Sequence, residues 1–407
     1  SSNWGRLTVR ERGLYAVTYD DMLSLEPDPS NIDPATFRLF TGSGLPLPSS
    51  VTVPRPDWMD ECAIHVDGGG DGAFDPGDMV VFYGLAVDGW ANELGVDDAD
   101  EPYHENPYAN DNVYWLTWEA QGSASGFEGE PLRMQVEDPP DVVAPVQVDD
   151  CRDRRHFEQN VSEYQGMGDN WFWFEFKRPG AEEKFFHVQL DHVVTELPGL
   201  LRGQVRGNSY NPQIDPDHYA VFYLNGVEAD VGEWEALSSY MFEADGMPIN
   251  EGFNTYKVYV PREGPEYEDD RVLVDWFDIE YWRELWTETG QLLFGSSGRT
   301  GEVEYRIDGF DDTDVTAYRL LDRYTANIVP GAAPSGGLVS FADDVTDTAS
   351  YAVVSRSGYL APALIESASP GEMRSATGDD YIMVTYDGFY DEAARLPSLR
   401  ESDAGGG

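Results

Sequence analysis

Apolar and polar positions along the chain alternate in short runs, and glycine, proline, asparagine and aspartate close each run, the period-two pattern of β-strands. Leu7–Tyr19 reads as two such runs about a turn at Gly13, followed by a short helical turn over Asp20–Leu25. Pro27, Pro29 and Pro34 then interrupt the chain before Phe37–Phe40 resumes as a strand. Cys62–Val66, Met79–Tyr83 and Asn112–Trp118 follow as strands, the first two around an acidic loop. Glu137–Asp150, rich in proline and aspartate, reads as a linker.

A second block begins near Phe157. Asn170–Phe176 is a dense aromatic strand, and Phe185–His192, Leu200–Arg206, Tyr219–Leu224, Asn254–Val260 and Arg271–Tyr281 continue the series. Asn225-Gly226 directly after a β run signals a tight hairpin, because both residues tolerate positive φ. Strands at such spacing predict a β-sandwich of jelly-roll type. Leu292–Phe294, Val303–Ile307, Thr316–Leu320 and Tyr351–Val354 form a third, smaller β unit. Near the end, Asp380–Tyr386 is an almost continuous apolar strand, and Phe389–Arg395 is helix-like, the opening of an α/β domain. The expected architecture is mainly β, with tandem β-sandwich or jelly-roll-like domains before the first strand and helix of a truncated α/β domain. The expected boundaries are 1–136, a linker over 137–156, 157–289, 290–370 and 371–407.

Charge changes the picture most. Lys+Arg number 26 against 76 Asp+Glu, a net charge of −50. Such a surface repels phosphate backbones and anionic lipid, which argues against nucleic-acid and membrane-surface partners. Two settings account for it equally, a saline habitat or a calcium-rich extracellular medium. No stretch approaches the roughly 20 apolar residues that span a bilayer. The chain opens Ser1-Ser2-Asn3-Trp4 without methionine and reads as a processed or excised piece, secreted or at the cell surface.

The candidate chemistry is sparse. Asp67, Asp71, Asp75 and Asp78 fall at positions 1, 5, 9 and 12 of an EF-hand-like loop, with Gly72 at position 6. They make a candidate structural calcium site, against the alternative of a solvated turn between strands. Cys62 and Cys151 are the 2 cysteines; they form either a disulfide or two separate buried thiols. The 6 histidines show no metal-ligand spacing and read as structural. Trp171, Trp173, Trp234, Trp276 and Trp282 suggest a sugar platform, although tryptophan at alternating strand positions more often belongs to a core. No histidine follows His218, so the α/β segment carries no base for a nucleophile, and no catalytic residue is assigned.

Several segments together resemble, in order, the N-terminal region of gingipain-family cysteine peptidases, in particular those similar to the type IX secretion sortase. They are Val9–Tyr19, Asn31–Phe40, Asp71–Gly84, Asn112–Trp118, Leu224–Gly226 and Val274–Trp276, and Asp379–Tyr386 resembles the first strand of the family's caspase-like domain. The resemblance implies a secreted cysteine endopeptidase as the intact parent, with its His and Cys beyond Gly407. This chain would then be a non-catalytic scaffold or substrate-docking region. Its partners would be a downstream peptidase domain in cis and exported protein substrates. The alternative is a carbohydrate- or surface-binding β-sandwich array that recognises surface glycans and has no enzymatic activity.

Overall fold

The structure, a computed structural model, describes residues 3–47, 50, 52–56, 58–94, 103–124, 126–164, 171–177, 180, 182–261, 270–369 and 383–396. The chain divides into two units, 1–367 and 368–407.

The first unit is built from strands. Asn3–Val9 pairs antiparallel with Asn112–Trp118, and the sheet continues through Arg38–Thr41 to Asp60–Cys62, with Leu364–Ala368 on its other edge. Gly13–Thr18, Met79–Gly84 and Ile64–Asp67 make a second sheet. Leu7, Val17, Leu39, Phe82, Tyr114 and Leu116 fill the space between the two sheets. The predicted helical turn is Tyr19–Met22, started by Thr18 in a reciprocal cap with Asp21.

The second block is a jelly roll. Its eight strands run from Phe174–Phe176 to Val272–Glu284 in chain order. The first, eighth, third and sixth share one sheet, and the second, seventh, fourth and fifth the other. Two interlocked Greek keys give this order. Alternating residues such as Phe186, Val188 and Leu190 point inward to meet Leu201, Phe222, Tyr256 and Phe277. The hairpin at Asn225-Gly226 forms as expected, with φ of 51° and 82°.

The third block pairs two further sheets around Phe294, Tyr305, Phe341 and Tyr351. It is not separate from the first. Leu14, Ala16, Val81 and Tyr83 on one sheet pack against Tyr318, Ala352 and Val354 on another. The sheet of Gly13–Thr18 is therefore covered on both faces, which explains why Met79–Gly84 is buried at every position and reads as a continuous apolar run.

Residues 137–156, expected as a linker, instead enter two sheets. Val146–Val148 lies parallel to Gly301–Ile307, and Asp150–Glu158 runs antiparallel to Val272–Glu284. The strand was hidden because its sequence, DCRDRRHFE, spends its outer positions on charged side chains. In the second unit, the described part is a turn at Asp387–Phe389 and a helix over Tyr390–Ala393. The predicted strand Asp380–Tyr386 lies partly outside the described residues, and 383–386 are irregular.

Candidate functional site

The acidic loop takes its shape from glycine and backbone. Gly68, Gly72 and Gly77 have φ of 92°, 90° and 106°, values that L side chains rarely adopt. Phe74, fully buried, anchors the loop edge-on against Phe37. Its carboxylates are engaged separately. Asp67 pairs with Arg356 at 2.6 Å, Asp78 accepts the Asp75 amide at 2.8 Å, and Asp71 accepts the Ala73 amide at 3.1 Å. Among the described residues, the acidic and histidine side chains whose ligand atoms converge are not these four but Glu105, His156 and Glu158.

The disulfide considered between Cys62 and Cys151 is not formed; both are free and buried. Cys62 belongs to the core of the first block and Cys151 to that of the third, so apolar layers separate them. Burial raises both thiol pKa values, that of Cys151 to about 12. A nucleophilic cysteine requires the opposite shift.

The tryptophans divide. Trp234 and Trp276 are buried, and Trp173 packs against the jelly-roll core. The Trp282 ring is met by the guanidinium groups of Arg152 and Arg299, at 5.1 and 5.0 Å. Trp171 is exposed.

The converging cluster is built around His156. On its strand His156 and Glu158 are two residues apart and share a face, while Phe157 between them stacks on Phe277. Opposite, Val272–Glu284 carries a bulge: Asp275 and Trp276 together face Gln204. The bulge reverses the alternation, so Val274 and Phe277 both point into the core. Trp276 and Asp278 are thereby turned toward His156. Asp278, 2% exposed, lies directly across from His156, and its Oδ1 accepts the Nδ1 proton at 2.7 Å. Nε2 faces Glu158 Oε2 at 3.1 Å. A short hairpin from the first block, Gly89–Trp90 with Tyr103–His104, reaches over this face. Tyr103 lies flat on the imidazole at 4.3 Å and 4°, with Trp90 edge-on to both rings. Arg154 stacks over Trp90 at 4.1 Å. Glu105, just past the hairpin, completes the cluster, oriented by Asn160 at 2.7 Å.

Burial disfavours the charged imidazole, but the hydrogen bonds and charges of Asp278 and Glu158 outweigh it and lift the His156 pKa to about 9. Burial and the nearby Glu158 also raise the Glu105 pKa. His218, fully buried, repeats the theme. It donates to Asp270 at 2.5 Å and to the Ala236 carbonyl at 2.8 Å, and its pKa is likewise raised against the cost of burial. In both rings each nitrogen already has a partner, so neither is placed as a base for a nucleophile. A cleft of about 940 Å³ opens beside His156, lined by Arg155, Asp191, His192, Arg283 and Trp286. There His192 stacks on Trp286 at 3.9 Å.

His156, expected from the sequence to be structural, instead belongs to a convergent cluster. Its one local signal is the His-x-Glu pair on one strand face. Glu105 and Asp278 carried no such signal, since only the tertiary fold brings them near.

The first unit is thus a set of layered β-sheets that includes a jelly roll. No protein-family profile matches the chain, and no curated protein matches it. Among solved structures, dimeric latent PorU from Porphyromonas gingivalis aligns with 100% of this chain at a TM-score of 0.70 and 15% identity. PorU is a gingipain-like sortase of type IX secretion, so the resemblance read from the sequence holds at the level of fold. The chain spans 36% of the length of that protein. A xanthan lyase from Paenibacillus and the ANXUR1 extracellular domain from Arabidopsis thaliana align at TM-scores of 0.20 and 0.22, with identities of 9% and 10%. They cover 72% and 69% of this chain, and it covers 30% and 78% of theirs. At those scores they carry no argument.

Proposed function

We propose that this chain is the non-catalytic β scaffold of a larger, secreted, gingipain-like protein of type IX secretion, and that it supports or docks substrates for a cysteine peptidase domain in cis. The observation that carries the reading is the fold shared with PorU across the whole chain, which corresponds to 36% of that protein. The chemistry of the side chains agrees. Both thiols are buried with raised pKa values, and His156 and His218 are committed at both nitrogens. The sheets of the first unit pack face to face through shared apolar layers, which supports the scaffold reading.

The test is reactivity. Purified residues 1–407 are incubated with peptide pools spanning basic and neutral cleavage sites, and with iodoacetamide. The scaffold reading expects no peptide turnover and no alkylation of the folded chain. Turnover that disappears as one cysteine becomes alkylated would place a catalytic thiol here and overturn it.

A further inference from the structure

We propose that Glu105, His156 and Glu158 form a zinc site that fastens the hairpin arm of the first block to the jelly-roll sheet. The inference goes beyond the scaffold reading and stands whether or not that reading holds. One imidazole nitrogen and two carboxylates are a set that zinc accepts, with its fourth position open to water. Tetrahedral zinc holds its ligand atoms about 3.3 Å apart. Nε2 of His156 and Oε2 of Glu158 are already at 3.1 Å, and all three ligand atoms lie within 4.8 Å of one another. Side-chain rotation at Glu105, the exposed member, closes the remainder.

A second observation, independent of the three ligands, points the same way. Metal-binding histidines hand their other ring nitrogen to a carboxylate, which fixes ring and tautomer. Asp278 does this to Nδ1 from a position 2% exposed, and its Oδ2 is buried without a hydrogen-bond partner. That buried acid has His156 as its side-chain partner, so its charge is directed at the ring. Tyr103 stacked on one face prevents the ring from turning away. Without metal, a proton on Nε2 bridges to Glu158. Zinc replaces that proton while the Nδ1–Asp278 hydrogen bond is kept.

The clamp is built from residues far apart in sequence, on two blocks that meet here through a short hairpin. Zinc bound across them stabilises the arm against lifting. The folded chain with the ions stripped by chelator is titrated with zinc in excess magnesium and salt, with a zinc indicator as competitor. Glu105→Gln and Glu158→Gln are run alongside; the amide introduced by Glu105→Gln keeps an oxygen that can accept from Asn160. We expect one zinc per chain, weakened about tenfold or more in each variant. X-ray absorption at the zinc edge should show a single imidazole with oxygen ligands and no sulfur. Circular dichroism of Glu105→Gln should match the parent, since Glu105 is exposed. Saturable zinc binding of equal strength in parent and both variants would overturn the site, as would no uptake beyond that of the general acidic surface, or sulfur in the absorption spectrum.

Discussion

Replacing His156 with glutamine removes a titrating ring from between two carboxylates, and the consequence should be written in the pH dependence of stability. The native pKa is about 9 against an ordinary 6.5. The folded state therefore binds the proton more tightly than the unfolded chain, and the ring contributes its full stabilisation below pH 6.5 and loses it as the pH rises through about 9. A gap of that size corresponds to about 3 kcal/mol, at 1.36 kcal/mol per pK unit. The side chain is nearly buried, so solvent screening removes little of it. The assay is denaturant unfolding of parent and His156→Gln at about pH 6 and about pH 9.5, with chelator present to exclude metal. Other titrating groups, His218 among them, are common to both proteins and cancel in the difference. The parent's advantage should shrink by about 3 kcal/mol between the two pH values. A difference between parent and variant that stays constant across that range would refute the charged His156–Asp278–Glu158 arrangement.

The other predictions rest on different parts of the molecule. Leu14→Ala, in the layer shared by the first and third blocks, should cost about 2–5 kcal/mol and lower one common thermal transition; two transitions, with one unmoved, would mean the blocks fold independently. Thiol titration should find no reactive cysteine in the native chain and both Cys62 and Cys151 after denaturation, whereas no thiol in denaturant would reveal a disulfide. Calcium at the Asp67–Asp78 loop has to compete with Arg356 for Asp67, so calorimetry should show no saturable heat; saturable heat lost in Asp75→Asn would contradict that. With a net charge of −50, stability should rise as salt approaches about 1 M, where the Debye length falls to about 3 Å; a flat salt dependence would count against self-repulsion.

The strands of the jelly roll were legible because their alternation is strong. Phe186, Val188 and Leu190 face inward in strict turn, and Asn225-Gly226 marks its hairpin without tertiary help. The layering was not legible, because a strand buried on both faces, such as Met79–Gly84, shows only a run of apolar residues and no direction. Asp150–Glu158 was concealed by the opposite circumstance. Its charged residues face the arm, Trp90 and the neighbouring acids, and such partners cannot be read from local periodicity. The His156 cluster depends on the bulge at Asp275-Trp276, and a single added residue in a strand leaves no clear mark in composition. The spacing of the loop aspartates was legible, but not that Arg356, 289 residues away, pairs with Asp67.

The proposed role, support of a peptidase domain carried on the same polypeptide, is checked by sequencing the open reading frame beyond Gly407. An α/β domain of caspase-like pattern, with a histidine followed by a cysteine, is expected there. A stop codon there, or an unrelated domain, would contradict it.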